Sequence, residues 1–450
     1  MTILQGSRVV SEGRMRMRNV GEVVERGLCT GCGTCVGICP SHSLEMGLRG
    51  GILVPGVDAG KCTDCGLCVK SCPGFSLDMA KLNAEVFGRQ PVDEVVGNFS
   101  ECYVGHSTDE RVNSACSSGG VIDQLLICGL ESGVVDGAVV ARMKGGSPLE
   151  PEPFVARSKG EVLSASRSKY CPVAVGVVLE RLRRERGKFG VVGLPCHIHG
   201  VRKAESAVPG LKEKVVLHVG LFCGHTVNFE GTEFLLEKLG VNKRDVARLF
   251  YRGNSWPDSL VVELKDGREV RVRFNRGWRA YWNVFSPFFF TPFRCLMCPD
   301  QFNELADVSV GDAWLQELRG RKAGESVVIV RTAVGRQIVE DARRDGFLSL
   351  IPVSLDKVKE SQAFSLDFKK MQYAGRMRFF AGLGYGVPNV DYSGFSVDGF
   401  LSRVGGLLSY LSFRVSSSRR LRRLLVNVPF GLFRVYFGLF KCVFLLSSSV

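Results

Sequence analysis

Between residues 100 and 360, short runs of apolar, β-branched residues alternate with stretches of helical period. Val134 to Ala141 (VVDGAVVA) predicts a buried strand that follows a helix over Val121 to Glu131. Phe189 to Leu194 and Val215 to Leu221 are nearly continuous apolar runs, the pattern of strands buried on both faces in a parallel sheet. Val177 to Arg186 predicts a helix just before Phe189. Leu260 to Leu264 and Glu269 to Phe274 alternate around Lys265-Asp266-Gly267, which predicts a hairpin with a glycine in its turn. Val327 to Arg331 predicts a further strand, and Gly335 to Asp345 a further helix. Strands alternating with helices, with one hairpin inserted, predict a mixed α/β domain.

The flanks follow other patterns. Residues 1–20 carry scattered charges without an apolar core, so they predict a loose basic tail and not a signal peptide. Residues 21–80 are dense in Cys, Gly and Pro, and 81–99 predict a polar linker. The α/β region divides into 100–185 and 186–360, and 361–450 predict a helical, basic, amphipathic tail.

Composition narrows the class. With 450 residues, 45% apolar and 23% charged, the chain is globular, which excludes wholesale disorder and fibre. Lys and Arg number 59 against 45 Asp and Glu, for a net charge of +14. Residues 399–450 hold eight of those cations and no acid. Seventeen cysteines without a secretory signal point to metal or redox chemistry and not to disulfides.

Eight of those cysteines form two runs. Cys29, Cys32, Cys35 and Cys39-Pro40 have C-x2-C-x2-C-x3-C-P spacing, and so do Cys62, Cys65, Cys68 and Cys72-Pro73. This is the bacterial two-cluster ferredoxin spacing, in which the fourth cysteine of each run serves the other cluster. Cys29, Cys32, Cys35 and Cys72 are therefore assigned to one 4Fe-4S cluster, and Cys62, Cys65, Cys68 and Cys39 to the other. Gly31, Gly33 and Gly66 let the backbone approach the cluster. Zinc sites favour CxxC pairs a dozen or more residues apart, which these runs do not show. Such a module only conducts electrons, so the function must lie in the rest of the chain.

Cys196 and Cys223 each follow a predicted strand, and Cys295 and Cys298 form a CxxC. The four either converge on a third cluster or are inert buried thiols, and spacing leaves both open. Ser117-Ser118-Gly119-Gly120 open a predicted helix, either as an ordinary cap or as a pyrophosphate site. Gly311-Asp312 follow a strand, where α/β sheets bind ligands and where simple turns also occur. Lys169-Tyr170 could meet a phosphate and a ring, or be plain surface. Arg167, Arg202, Lys203 and Arg252 are cations with the same two readings.

Taken in order, these motifs resemble the beta-subunit family of coenzyme F420-dependent hydrogenases and dehydrogenases over roughly residues 21–350. The resemblance rests on Ser117 to Gly120, Val135-Asp136-Gly137-Ala138-Val139-Val140, Ser168-Lys169-Tyr170 and Gly193-Leu194-Pro195-Cys196. Leu221-Phe222-Cys223, Arg294-Cys295-x2-Cys298 and Ala306 to Trp314 complete it. It implies a ferredoxin domain fused to a mixed α/β flavin domain that holds FAD beside a third 4Fe-4S cluster and a pocket for F420. It also implies that Cys196, Cys223, Cys295 and Cys298 ligate that third cluster. Cofactor contacts would come from Ser117, Ser118, Gly119, Gly120, Ser168, Lys169, Tyr170, Gly193, Pro195, His197, Gly311 and Asp312. His197 stands where the family often has Gln, and Gly224-His225 where a His often follows the cysteine directly.

The implied activity is hydride exchange between reduced F420 and FAD, with single electrons passing through the clusters to or from a partner protein. A flavin is needed because it handles both hydride and single electrons. No acid–base residue stands out, and no nickel ligand set is present, so hydrogenase chemistry would belong to another subunit. Two alternatives keep the scaffold: a ferredoxin-dependent reductase of an organic substrate, and a non-catalytic electron-transfer subunit.

Arg420, Asn427, Arg434 and Lys441 recur every seven residues, and Pro429 would kink a helix that carries them. The longest charge-free run, Leu424 to Phe433, is too short to span a bilayer. Residues 415–446 predict either an interfacial helix on an anionic membrane or a helix docked on a partner or on the core. Phe in place of interleaved stacking residues argues against nucleic acid. The expected location is cytoplasmic, peripheral on the inner face of the membrane. Three oxidised clusters with their thiolates would subtract about six charges and leave the body before residue 399 near neutral.

Overall fold

The computed structural model describes residues 17–253, 256, 259–275, 277–318, 323–391 and 399–448, with side chains through 443. Its centre is an eight-stranded mixed sheet. In chain order the strands are β1 (Glu101–Ser107), β2 (Gly137–Lys144), β3 (Ser147–Ala156), β4 (Phe189–Gly193), β5 (Val215–Leu221), β6 (Val308–Asp312), β7 (Ser326–Val330) and β8 (Leu348–Pro352). Across the sheet they run β8-β1-β7-β6-β5-β4-β2-β3. β6, β5, β4 and β2 are parallel neighbours in the middle. β3 on one side and β7, β1 and β8 on the other pair antiparallel.

Both faces of the sheet are covered. Val139 and Val140, adjacent on β2, point into opposite cores, as strand periodicity requires. Helix α1 (Val121–Glu131) packs Leu125, Leu126 and Ile127 into one core. Helix α2 (Pro195–Glu205) packs Ile198, Val201 and Ala204 into the other. A buried ionic knot fixes α2 to the sheet. His218 on β5 hydrogen-bonds Glu205 at 2.6 Å and Asp307 at 2.9 Å, and Arg202 reaches Asp307 at 3.0 Å. Burial alone would raise the Asp307 carboxyl, but Arg202 and His218 outweigh it and hold it well below the usual carboxylate range.

The predicted strands and helices appear with small shifts at their ends. Val177 to Arg186 divides into a 3-10 turn (Val175–Val178) and a helix (Leu179–Arg184). The hairpin forms from Ser259–Leu264 and Glu269–Arg273, with Gly267 at φ 85°, and gains a third strand, Val246–Phe250. β3 was not predicted because it contains Pro148, Pro151 and Pro153. It is an edge strand, the position in a sheet that tolerates proline.

The cysteine-rich front is packed onto the α/β body and is not tethered to it. A Cβ on Gly37 would lie 2.1 Å from the Gly176 carbonyl oxygen, and one on Gly200 of α2 would lie 2.4 Å from Thr34 Oγ1. Lys203 of α2 donates to the Cys72 carbonyl at 2.8 Å. Residues 81–99, expected to be a linker, start inside a helix (Met79–Phe87) whose Leu82 and Asn83 are buried. Arg331 then binds the Val96 carbonyl at 2.8 Å and the Asn98 carbonyl, so that segment is structural. Of the expected loose tail, residues 1–16 lie outside the described residues, whereas Met17 and Val20 are buried.

The expected tail over 361–450 is two different things. Its first part is core: Lys369, Lys370 and Arg376 are fully buried around a π-helical turn (Asp367–Met371). Its second part is three helices, α3 (Phe400–Ser417), α4 (Arg419–Asn427) and α5 (Phe430–Ser448). α4 and α5 meet at 110° beside Pro429, so the seven-residue repeat does not form one stripe. Arg434 lies over the Trp278 ring and Lys441 over Phe437, both turned toward protein. No single helix among the described residues is long and apolar enough to cross a membrane.

Candidate functional site

Three groups of thiols lie in sequence through the molecule. Cys29, Cys32, Cys35 and Cys72 form the middle group. Burial pushes Cys29 up to about 12, and its neighbours Cys72 and Cys32 add to that. Burial likewise raises Cys35 well above the usual thiol range, with Cys32, Cys72 and Cys29 adding to it. Gly33 and Gly66 start the short helices Thr34–Ile38 and Leu67–Lys70 at φ 78° and 71°, in the left-handed region that glycine supplies. Cys39, Cys62, Cys65 and Cys68 form the outer group, around a small cavity where Cys65 is exposed. The fourth cysteine of each run therefore crosses to the other group. Cys68 also bears on Cys35, so the two groups are neighbours.

The inner group is Cys196, Cys223, Cys295 and Cys298, which line one cavity of about 830 Å3. Cys196 starts α2 directly after β4, and Cys223 follows β5, so both sit at the carboxyl ends of neighbouring parallel strands. That edge is where open α/β sheets bind ligands. Burial raises Cys196 well above the usual thiol range. Cys32 of the middle group, then Cys223, Cys295 and Cys298, contribute further. Burial pushes Cys223 up to about 12, against the pull of the Lys369 ammonium. Lys369 donates to the Asp300 carbonyl at 2.6 Å and stands 3.5 Å from Cys298 Sγ. No disulfide joins any of the seventeen cysteines. Among the described residues no three His, Cys, Asp or Glu side chains close tightly enough to hold a single metal ion.

The remaining candidates converge on the same cavity. Ser117, Ser118, Gly120, Ser168, Lys169 and Tyr170 line it, as do Gly193, Pro195, His197, Gly311 and Asp312. Gly119 sits just behind the wall, its N–H donating to Ser326 Oγ at 3.1 Å. The cap of α1 is Gly120 at φ 72°, not a serine, and among the described residues no side-chain cap bonds the first amides of the helix. Asp123, in that first turn, is half-buried. Burial raises its pKa, while Cys116 at 2.7 Å and Ser166 at 2.6 Å donate to it and pull it back. Lys169, expected as a phosphate contact, donates instead to the Ser166 and Arg167 carbonyls at 2.8 Å and to that of Ala165. Burial lowers it to about 8. It shapes the loop that carries Tyr170. Of the other cations, Arg167 lines the cavity, Arg202 and Lys203 serve the packing described above, and Arg252 is central.

Arg252 is fully buried at the cavity wall. It pairs with Asp312 at 2.7 Å, donates to the Ser117 carbonyl, and lies under the Trp256 and Phe274 rings. Among the described residues, four cavity-lining side chains keep buried polar atoms without a protein partner: His225 Nε2, Arg252 Nε, Asn275 Oδ1 and Gln301 Oε1. Tyr170, Phe274 and Trp282 form an aromatic wall, with ring centroids 4.6–5.9 Å apart. The cavity thus offers uncovered helix amides, unsatisfied polar atoms and flat apolar walls. These features suit a large aromatic cofactor with a pyrophosphate, at a volume within the usual range of about 300–1,000 Å3 for ligand sites. Lys369, Phe274, Trp282 and His225 were not among the predicted contacts, and Phe437 and Lys441 reach the cavity from α5.

The family described as Coenzyme F420 hydrogenase/dehydrogenase, beta subunit N-term matches residues 102–180, and the carboxyl-terminal part of the same beta-subunit family matches 187–355. A 4Fe-4S dicluster domain matches 28–104. The coenzyme F420 hydrogenase subunit beta of Methanothermobacter thermautotrophicus is 30% identical over 266 residues, covering 58% of this chain and 86% of that one. One of the subunits of the F(420)H(2) dehydrogenase of Methanosarcina mazei is 25% identical, over 72% of this chain and 85% of that one. A chain in the F420-reducing [NiFe] hydrogenase complex of Methanosarcina barkeri superposes with a TM-score of 0.52 at 25% identity, covering 66% of this chain and 98% of that chain.

Proposed function

Since the chain belongs to the coenzyme F420 hydrogenase/dehydrogenase beta-subunit family, with a two-cluster 4Fe-4S ferredoxin domain in front, we propose that it exchanges hydride between reduced F420 and FAD and passes single electrons to or from a partner protein. It is an iron–sulfur oxidoreductase subunit of the F420-related type, and such relatives work in multi-subunit complexes. The observation that carries the finer reading is the order of the thiol groups. The inner group lines the cavity, the middle group abuts it through Cys32, and the outer group ends at exposed Cys65.

FAD supplies the exchange between two-electron hydride and one-electron transfer that the clusters require. In this reading the uncovered amides at the start of α1 and the backbone of Ser117 to Gly120 hold its pyrophosphate. Gly193, Pro195 and His197 on one strand end, with Gly311 and Asp312 on another, border the ring system. Tyr170, Phe274 and Trp282 exclude water. Burial lowers His197 to about 4, so it stays neutral there. Cys196, Cys223, Cys295 and Cys298 would hold the third cluster, and Cys29 lines the same cavity. With anaerobically purified holoprotein and a dye acceptor, reduction of the dye by reduced F420 is expected, and loss of F420 absorbance when electrons are supplied in reverse. No exchange with flavin and iron intact would reject the F420 reading in favour of another organic substrate or an electron-transfer subunit.

Lys369 would hold a fixed positive charge beside that cluster. Lys369→Met is expected to lower its midpoint potential by on the order of 60 mV, equivalent to ~1.4 kcal/mol for one electron. Lys369→Arg should largely retain it. An EPR-monitored redox titration measures both, and an unchanged potential in the Met variant would leave Lys369 a packing role only.

A further inference from the structure

The last three helices are built inside out for a protein surface in water. A surface helix normally turns its apolar stripe inward and its polar side outward. The buried positions of α3 are instead Ser402, Gly405, Gly406, Ser409, Ser412 and Ser416. Their hydroxyls are satisfied internally: Ser416 Oγ accepts from the Phe290 N–H at 2.8 Å and donates to the Ser412 carbonyl, also at 2.8 Å. The outward side of α3 carries Phe400, Leu407 and Leu411, exposed by 79%, 42% and 45%.

α5 is apolar on both sides. Phe433 and Phe440 face the body, against Phe289 and Phe288. Leu432, Val435 and Leu439 recur at helical spacing on the far side and are about half exposed or more. α4 adds exposed Leu421 and Leu424 among exposed Arg419, Arg420 and Arg423. Arg422 is turned inward to Glu230 at 2.6 Å, and Lys238 ties the end of α4 to the body through the Val426 and Val428 carbonyls. The outward leucines are thus fixed in place by what lies beneath them.

We propose that this three-helix end docks the protein on an anionic lipid surface, lying in the interface without crossing the membrane. Charge selects lipid over an acidic-and-basic protein face, because the exposed Arg419, Arg420 and Arg423 of α4 stand in a stretch, residues 399–450, that contains no acid. Leucines interspersed with arginines, and no acid among them, match an interfacial helix that inserts side chains between anionic headgroups. Crossing is excluded by α5 itself, whose inner face belongs to the protein core. The inference is independent of the redox reading, since none of the outward leucines and arginines it uses lines the cavity.

The test is co-sedimentation of the full-length holoprotein with phosphatidylglycerol-containing vesicles and with pure phosphatidylcholine vesicles. Binding to the first is expected to exceed binding to the second by about tenfold or more, as three surface arginines predict, and to fall as salt is raised. Leu424→Ser/Leu432→Ser/Leu439→Ser should lose vesicle binding with unchanged iron content and melting. Arg419→Ser/Arg420→Ser/Arg423→Ser should lose the lipid preference. Equal, salt-independent binding to both vesicles would overturn the proposal. So would an absence of vesicle binding combined with a leucine variant that turns an oligomer into a monomer, which would assign the face to a second copy.

Discussion

Replacing Cys196 with alanine is expected to lower the iron of the anaerobically purified protein from about twelve atoms per chain to about eight. The loss should be the whole inner cluster, because nothing at the site can substitute for the thiol. His197 Nδ1 already accepts the Leu194 N–H at 3.1 Å, and His199 is bound to Asp300 at 2.8 Å. The two ferredoxin-type groups share no cysteine with the inner one, so their eight irons and their EPR signals should remain. Cys65→Ala is the matched control: it removes an exposed ligand of the outer group and should spare the inner signal. On the proposed reading, dye reduction by reduced F420 should fall in the Cys196 variant, because the flavin would keep its binding surfaces but lose its nearest acceptor. A wild-type protein with only about eight irons would reject the assignment of Cys196, Cys223, Cys295 and Cys298.

The sequence was most legible where chemistry imposes spacing. Two C-x2-C-x2-C-x3-C-P runs encode their crossed pairing, and the folded chain brings Cys72 to the first run and Cys39 to the second. Strand ends were legible for a related reason: continuous apolar runs mark buried parallel strands, so Cys196 and Cys223 could be set at one edge of a sheet. What could not be read depends on contacts between distant segments. Lys369 reaches the inner thiols from a π-helical turn about seventy residues beyond Cys298. Its neighbour Lys370 pairs with Glu304, and nothing in a Lys-Lys dipeptide signals burial. The C-terminal end misled differently. A seven-residue repeat of Arg and Lys implied one amphipathic helix, but Pro429 breaks it, and serines rather than leucines turned out to be the inward residues of α3.

Arg252→Met is expected to destabilise the protein by roughly 3–5 kcal/mol, the usual cost of breaking a buried ion pair from one side. Arg252 is 2% exposed, and Asp312 would be left as an uncompensated carboxylate at the wall of an apolar cavity. The Ser117 carbonyl would lose its donor at the same time, freeing the loop that leads into α1. Flavin retention after gel filtration should therefore fall along with the melting temperature. The double variant Arg252→Met/Asp312→Asn separates the two effects. Neutralising the carboxylate removes the stranded charge, so much of the stability should return. Flavin retention should not return, because the Ser117 loop and the Trp256 and Phe274 rings still lack the guanidinium packed against them. If stability and flavin recover together, Arg252 serves only to balance Asp312, and the flavin is held elsewhere in the cavity. If neither recovers, the guanidinium is needed chiefly as packing against those rings, and the ion pair contributes little of its own.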